Sequence, residues 1–108
     1  MSEPAEVEIH DNPDEDRYEV RAGGELAGFA VYRPGDGIWA YTHTEIGERF
    51  EGRGLASQLI RYALEDMRAR GLSVLPRCPF VRGYIERHPD PYLELVPPGE
   101  RARFGLPA

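Results

Sequence analysis

The sequence predicts an α+β domain, a mixed α/β sandwich in which a mostly antiparallel sheet carries packed helices. Three observations predict it. As far as Ile46, polar and apolar residues alternate with a period near two. From Leu55 onward the apolar positions fall at 55, 56, 59, 60, 63, 64 and 67, a stripe that repeats every three to four residues. Between such segments stand short clusters of glycine, proline and aspartate, the residues that turns demand.

Taken in order, Val7-Glu8-Ile9-His10 alternates and runs into the turn cluster Asp11-Asn12-Pro13-Asp14. Arg17 to Ala22 is a second strand. Gly23-Gly24 closes a two-residue hairpin, because both central positions can take positive φ. Glu25 to Arg33 returns, Pro34-Gly35-Asp36-Gly37 turns again, and Ile38 to Ile46 forms the next strand, rich in β-formers such as Trp39, Tyr41, Thr42 and Thr44. Leu55 to Arg70 is a helix with Gly71 placed for a left-handed cap. On it, Asp66 and Arg70 stand in the favourable i,i+4 order, while Arg61, Arg68 and Arg70 read as a solvated face. Leu72 to Leu75 is a short strand. Phe80 to Arg87 is a second helix, with Pro79 suited to its first turn and His88 available to cap its end. The order β-β-β-β-α-β-α makes one domain over residues 1–108, with residues 1–6 and about 97–108 expected to be irregular arms, the latter with a turn of helix near Pro98–Arg103.

The chain has 108 residues, 13 arginines, no lysine, 19 acids and a formal charge of −6. That balance argues against nucleic acid as a partner, since phosphate contacts need an electropositive face. No apolar stretch is long enough to span a membrane, the acidic start does not look like a signal peptide, and one cysteine excludes an internal disulfide. The expectation is a reducing, soluble compartment, the cytoplasm. No metal ligand set is expected, and the oligomeric state is not readable. The charge is also uneven. Residues 1–25 carry −7, whereas residues 49–87 carry +4, so an anionic ligand is sought in the middle of the chain.

The segment Ile46-Gly47-Glu48-Arg49-Phe50-Glu51-Gly52-Arg53-Gly54-Leu55-Ala56 lies between a strand and the long helix. Gly52 and Gly54 allow close backbone approach, the helix start exposes unpaired N–H groups, and Arg49 and Arg53 flank that point. This is the chemistry of a pyrophosphate cradle. It is not a P-loop, because no Gly-Lys-Ser/Thr follows, and it lacks the glycine spacing of a dinucleotide fingerprint.

Arg49-Phe50-Glu51-Gly52-Arg53-Gly54 matches Arg/Gln-x-x-Gly-x-Gly/Ala, the acyl-CoA loop of the GNAT N-acetyltransferases. With it, Tyr41-Thr42-His43-Thr44-Glu45-Ile46, Cys78-Pro79-Phe80-Val81 and Tyr84-Ile85-Glu86-Arg87-His88-Pro89 resemble the small, minimal members of that family, over about Arg17 to Tyr92. The resemblance implies a GNAT-like fold whose two central strands splay apart around the pantetheine arm, and an acetyl-CoA-dependent N-acetyltransferase with an unidentified amine acceptor, a small molecule or a protein. It implies cofactor contacts from Ile46, Arg49, Gly52, Arg53, Gly54, Leu55 and Ala56, with Phe80 and Tyr84 along the channel. It also implies site roles for Cys78 and His43. Cys78 is open to three readings: nucleophile, general acid or wall of the pocket. His43, which alternation places on one face with Trp39, Tyr41 and Glu45, is suited to take a proton from an ammonium. Two departures stand out. The chain has no room for the family's extra helices and C-terminal strands. The residues where many members carry an asparagine and a thiolate-protonating tyrosine are Cys78 and Ile85, with Tyr84 one residue early. A non-catalytic acyl-CoA-binding module is the alternative reading.

Overall fold

In the computed structural model, which describes residues 6–108, five strands lie in their sequence order: β1 (Val7–Asn12), β2 (Arg17–Ala22), β3 (Glu25–Arg33), β4 (Ile38–Ile46) and β5 (Ser73–Pro76). The first four pair antiparallel and β5 joins β4 in parallel. The parallel step needs a crossover, which is α1 (Leu55–Arg70). After β5 come α2 (Pro79–Arg87) and a string of short turns. The Gly23-Gly24 hairpin has φ of 60° and 85°, the double left-handed geometry that only a glycine pair enters without strain. The expected arm at residues 1–6 lies outside the described residues except for Glu6.

Helix α1 ends as its sequence predicts. Gly71 takes φ 69°, its N–H donates to the Arg68 carbonyl, and the Leu72 N–H donates to that of Met67, which together make a Schellman cap. Its stripe of Leu55, Leu59, Ile60, Ala63, Leu64 and Met67 is buried against one face of the sheet. Tyr18, Tyr32 and Tyr41 project onto that same face and pack their rings together. The Tyr18 hydroxyl donates to Asp66 on α1. Arg70 is no free surface charge. It pairs with Asp66 at 3.1 Å and Asp11 at 3.2 Å and lies over the Trp39 ring, tying the helix end to β1 and β4. Arg68 pairs within the helix, with Glu65.

The opposite face of the sheet holds Arg17, Val31 and His43 in one cross-strand row and Glu19, Phe29 and Glu45 in the next. Glu19 is its anchor. Its carboxylate is 2% exposed and accepts hydrogen bonds from Arg17 at 2.8 Å and Asn12 at 3.1 Å, with Arg21 and His10 each 3.6 Å away. Burial alone would raise this carboxyl, but the hydrogen bonds and charges of Arg17, Asn12 and Arg21 outweigh it and hold it below the usual range. A carboxylate held low in the folded state stabilises above its unfolded pKa, and that gain disappears as pH falls through the folded value. Glu19→Gln is therefore expected to cost about 1–2 kcal/mol at pH 7. The gap to the wild type should close below the ordinary glutamate range. Urea melts at pH 7 and pH 3 check it; an equal gap at both would refute it.

The chain's end has the expected helical turn, at Pro98–Arg101 and Ala102–Phe104, but it departs from a surface arm in burying Val96, Phe104 and Leu106 in the core. The cause is legible in hindsight: three large apolar residues spaced among prolines are anchors, and prolines suit the first turns of short helices.

Candidate active site

Strand β4 is where the sheet opens. It pairs with β5 only from Ile38 to Tyr41, whose partner is Pro76. The Cys78 N–H then donates to the Tyr41 carbonyl at 2.8 Å, and α2 begins. From Thr42 to Ile46, β4 has no strand beside it on that side among the described residues. In the opening lies a cavity of about 370 Å³, lined by Thr44, Ile46, Phe50, Glu51, Gly52, Gly54, Leu55, Ala56, Ser57 and Phe80.

One end of the cavity is the start of α1. Gly54 is the N-cap, with φ 73° and ψ 15°, and no side chain caps the helix. The first intrahelical bond runs from the Gln58 N–H to the Gly54 carbonyl. The N–H groups of Leu55, Ala56 and Ser57 are thus left without an intrahelical partner, at the positive end of the dipole. A Cβ built on Gly52 or Gly54 meets no atom within 4 Å, so the cradle lies open above both glycines. These features fit a pyrophosphate, and the apolar walls Ile46, Phe50 and Phe80 fit a thin organic arm beyond it. Of the expected contacts, Ile46, Gly52, Gly54, Leu55, Ala56 and Phe80 line this cavity.

Arg49 and Arg53 do not line it. Both guanidiniums stand over the Phe50 ring, at 5.1 Å and 5.5 Å, and Arg49 also pairs with Glu25. Both are exposed, and the ring they stand over, Phe50, lines the cavity. Tyr84 is not a channel wall either. It is 6% exposed and packs against Tyr92 and the His88 ring, because its position on α2 faces the core.

Cys78 is the N-cap of α2 and is 3% exposed. Its thiol makes no cap hydrogen bond to its own helix. Instead it reaches across to β4 and donates to the Thr44 hydroxyl at 3.3 Å. His43 is a correction to the sequence reading. Val31 pairs with His43 and Tyr32 with Tyr41, which leaves Thr42 as an extra residue. This bulge reverses the alternation. Trp39 and Tyr41 point toward α1, where Trp39 stacks on Tyr32. His43 and Glu45 point to the opposite face, where they pair at 3.2 Å and both are largely exposed. Thr44, whose sequence signal is only that of a β-former, is thereby turned toward the cavity. Ser57 was also missed; its place in the first turn of α1 was the available signal.

A family model described as GCN5-related N-acetyl-transferase matches residues 17–95. Protein NATD1 of Xenopus tropicalis is 33% identical over 57 residues, which are 52% of each chain, so the match spans about half the length of that relative. The solution structure of a GCN5-like candidate N-acetyltransferase from Staphylococcus aureus superposes with a TM-score of 0.63 at 21% identity, covering 83% of this chain and 87% of the other. The crystal structure of a ribosomal-protein-alanine N-acetyltransferase from Brucella melitensis biovar Abortus 2308 gives 0.54 at 19%, over 75% and 60%. These two likenesses concern the fold: a five-stranded, mostly antiparallel sheet with packed helices.

Proposed function

The chain belongs to the GCN5-related N-acetyltransferase family, and we propose that it is an acetyl-CoA-dependent enzyme that transfers the acetyl group to an amine. The observation that supports this best is the cavity that runs from the uncapped start of α1 into the gap beside β4. The N–H groups of Leu55, Ala56 and Ser57 hold the pyrophosphate, with Arg49 and Arg53 near enough to swing onto it. The open edge of β4 from Thr42 to Ile46 takes the amides of the pantetheine arm, as a neighbouring strand would. The thioester then ends beside Thr44, whose hydroxyl stands between it and Cys78. Fixing its carbonyl at a backbone N–H and delivering the amine in line supply most of the rate, through positioning and oxyanion stabilisation. The amine arrives from the open sheet face, where His43, oriented by Glu45, removes its proton.

Two measurements test this. Calorimetric titration should show CoA binding by the wild type and by Cys78→Ala and His43→Ala. A thiol-release assay over a panel of amines should show turnover that falls by roughly a hundredfold in each variant. CoA binding with no release for any amine, and no effect of either substitution, would leave the non-catalytic acyl-CoA-binding module in its place. Mass spectrometry of the protein mixed with acetyl-CoA alone separates direct attack from relay through Cys78. With one thiol and no lysine in the chain, an added acetyl group has few places to sit.

A further inference from the structure

We infer that Thr44 is a positioning residue for Cys78, and that its hydroxyl sets how readily the thiol gives up its proton. The inference builds on the transferase reading, but its physical basis is separate. Thr44 Oγ1 is the hydrogen-bond partner of Cys78 Sγ, at 3.3 Å, and Thr44 lines the cavity. Cys78 does not line it. The hydroxyl therefore stands between the thiol and the space where a thioester would lie.

A hydroxyl in that place works in two directions, because it is at once a donor and an acceptor. With the thiol protonated, Thr44 Oγ1 accepts the S–H and fixes the sulfur against β4. When the thiol loses its proton to solvent base, the hydroxyl rotates about its C–O bond and donates its hydrogen to the sulfur anion. A hydrogen bond to an anion is stronger than one between neutral groups, so the exchange favours ionisation. The bulge at Thr42 is what makes the arrangement possible, since without it Thr44 would face away from the gap.

The other groups around the thiol do not substitute for Thr44. On α1 the buried residues Leu55, Leu59, Ile60, Ala63, Leu64 and Met67 carry no charge. On β4, Tyr41 is buried toward α1, while His43 and Glu45 lie on the far face and bond to each other. Arg77 precedes the cysteine and is exposed, and on α2 Arg82 meets Cys78 through its backbone N–H, which donates to the Cys78 carbonyl at 3.0 Å. All of these are unchanged by a substitution at Thr44.

The experiment is alkylation of Cys78 by iodoacetamide as a function of pH, followed by intact mass. A carbon–sulfur bond forms, iodide leaves, and the thiol proton goes to the buffer. The chain's single cysteine makes the reading unambiguous. Thr44→Val keeps the shape and removes the hydroxyl, Thr44→Ala removes it with less bulk, and Thr44→Ser keeps it. The expected result is a profile displaced to higher pH for the valine and alanine variants, with the rate at pH 7 lowered about tenfold, the worth of one hydrogen bond to an anion. The serine variant should track the wild type within about twofold. Thermal melts identify the folded variants, and either the valine or the alanine protein suffices. Profiles for the hydroxyl-less variants that coincide with the wild type, or that shift equally in Thr44→Ser, would overturn the inference. No acetyl-CoA is used. A displaced profile in a protein that acetylates no amine would thus retain the role of Thr44 and reject the enzyme, and a coincident profile in an active enzyme would do the reverse.

Discussion

Gly54→Val is expected to weaken CoA binding by about a hundredfold, the equivalent of two charge-assisted hydrogen bonds at roughly 1.5 kcal/mol each. Two causes act together. Gly54 caps α1 at φ 73°, a left-handed conformation that a β-branched residue enters only with strain. A Cβ there meets nothing within 4 Å beyond its chain neighbours, so a side chain projects into the cavity that Gly54, Leu55 and Ala56 line. Strain alone should lower stability by about 1–2 kcal/mol. The control is Gly71→Val at the other end of the same helix, where φ is 69° and the built Cβ again meets nothing. It should lower the melting temperature by a similar few degrees and leave the CoA affinity unchanged. Calorimetry on the two variants decides the matter. If both lose affinity equally, the effect is a weakened helix and not a blocked cradle.

That comparison works because the ends of α1 were legible in the residues themselves. β2, β3, β4 and α1 occur where period and turn chemistry place them, since each has at least one end at a glycine whose φ is positive in the fold. The glycine loop and the uncapped start of α1 were legible for the same reason: they are local, a matter of a few consecutive backbone groups. The facing of β4 was not. A bulge is decided by the register of two strands together, and nothing in Tyr41-Thr42-His43-Thr44 announces that Thr42 will have no partner of its own. One such residue exchanged the surroundings of His43 and Thr44. The side chains of Arg49 and Tyr84 were also beyond a sequence reading. One is set by a glutamate on β3 and the other by a tyrosine beyond α2, each distant along the chain or in a segment with no clear period.

Phe104→Ala is the prediction that best separates a docked chain end from a loose one. An irregular surface arm predicts a change within about 0.5 kcal/mol. The fold predicts about 3 kcal/mol, because Phe104 is only 8% exposed within the core cluster and a phenylalanine truncated there leaves its partners without contacts. The turn that carries it can respond in one of two ways. If it stays docked, the loss is global, and the melting temperature should fall by more than about 10 °C. If it peels away, the loss is local. The hydrogen bonds from the Gly105 N–H to Ala102 and from the Leu106 N–H to Arg101 then open, and their amides exchange early. Leu106, at 5% exposure, anchors the segment from beyond Phe104, and the completely buried Val96 anchors it from before. With both neighbours held, peeling exposes more apolar surface than a cavity would forfeit, so the global response is the expected one. Unfolding followed by circular dichroism, with hydrogen exchange at Gly105 and Leu106 beside it, distinguishes the two. A melting temperature within 2–3 °C of the wild type, roughly what 0.5 kcal/mol moves in a domain of this size, together with unchanged exchange, would return the chain end to the status of an arm.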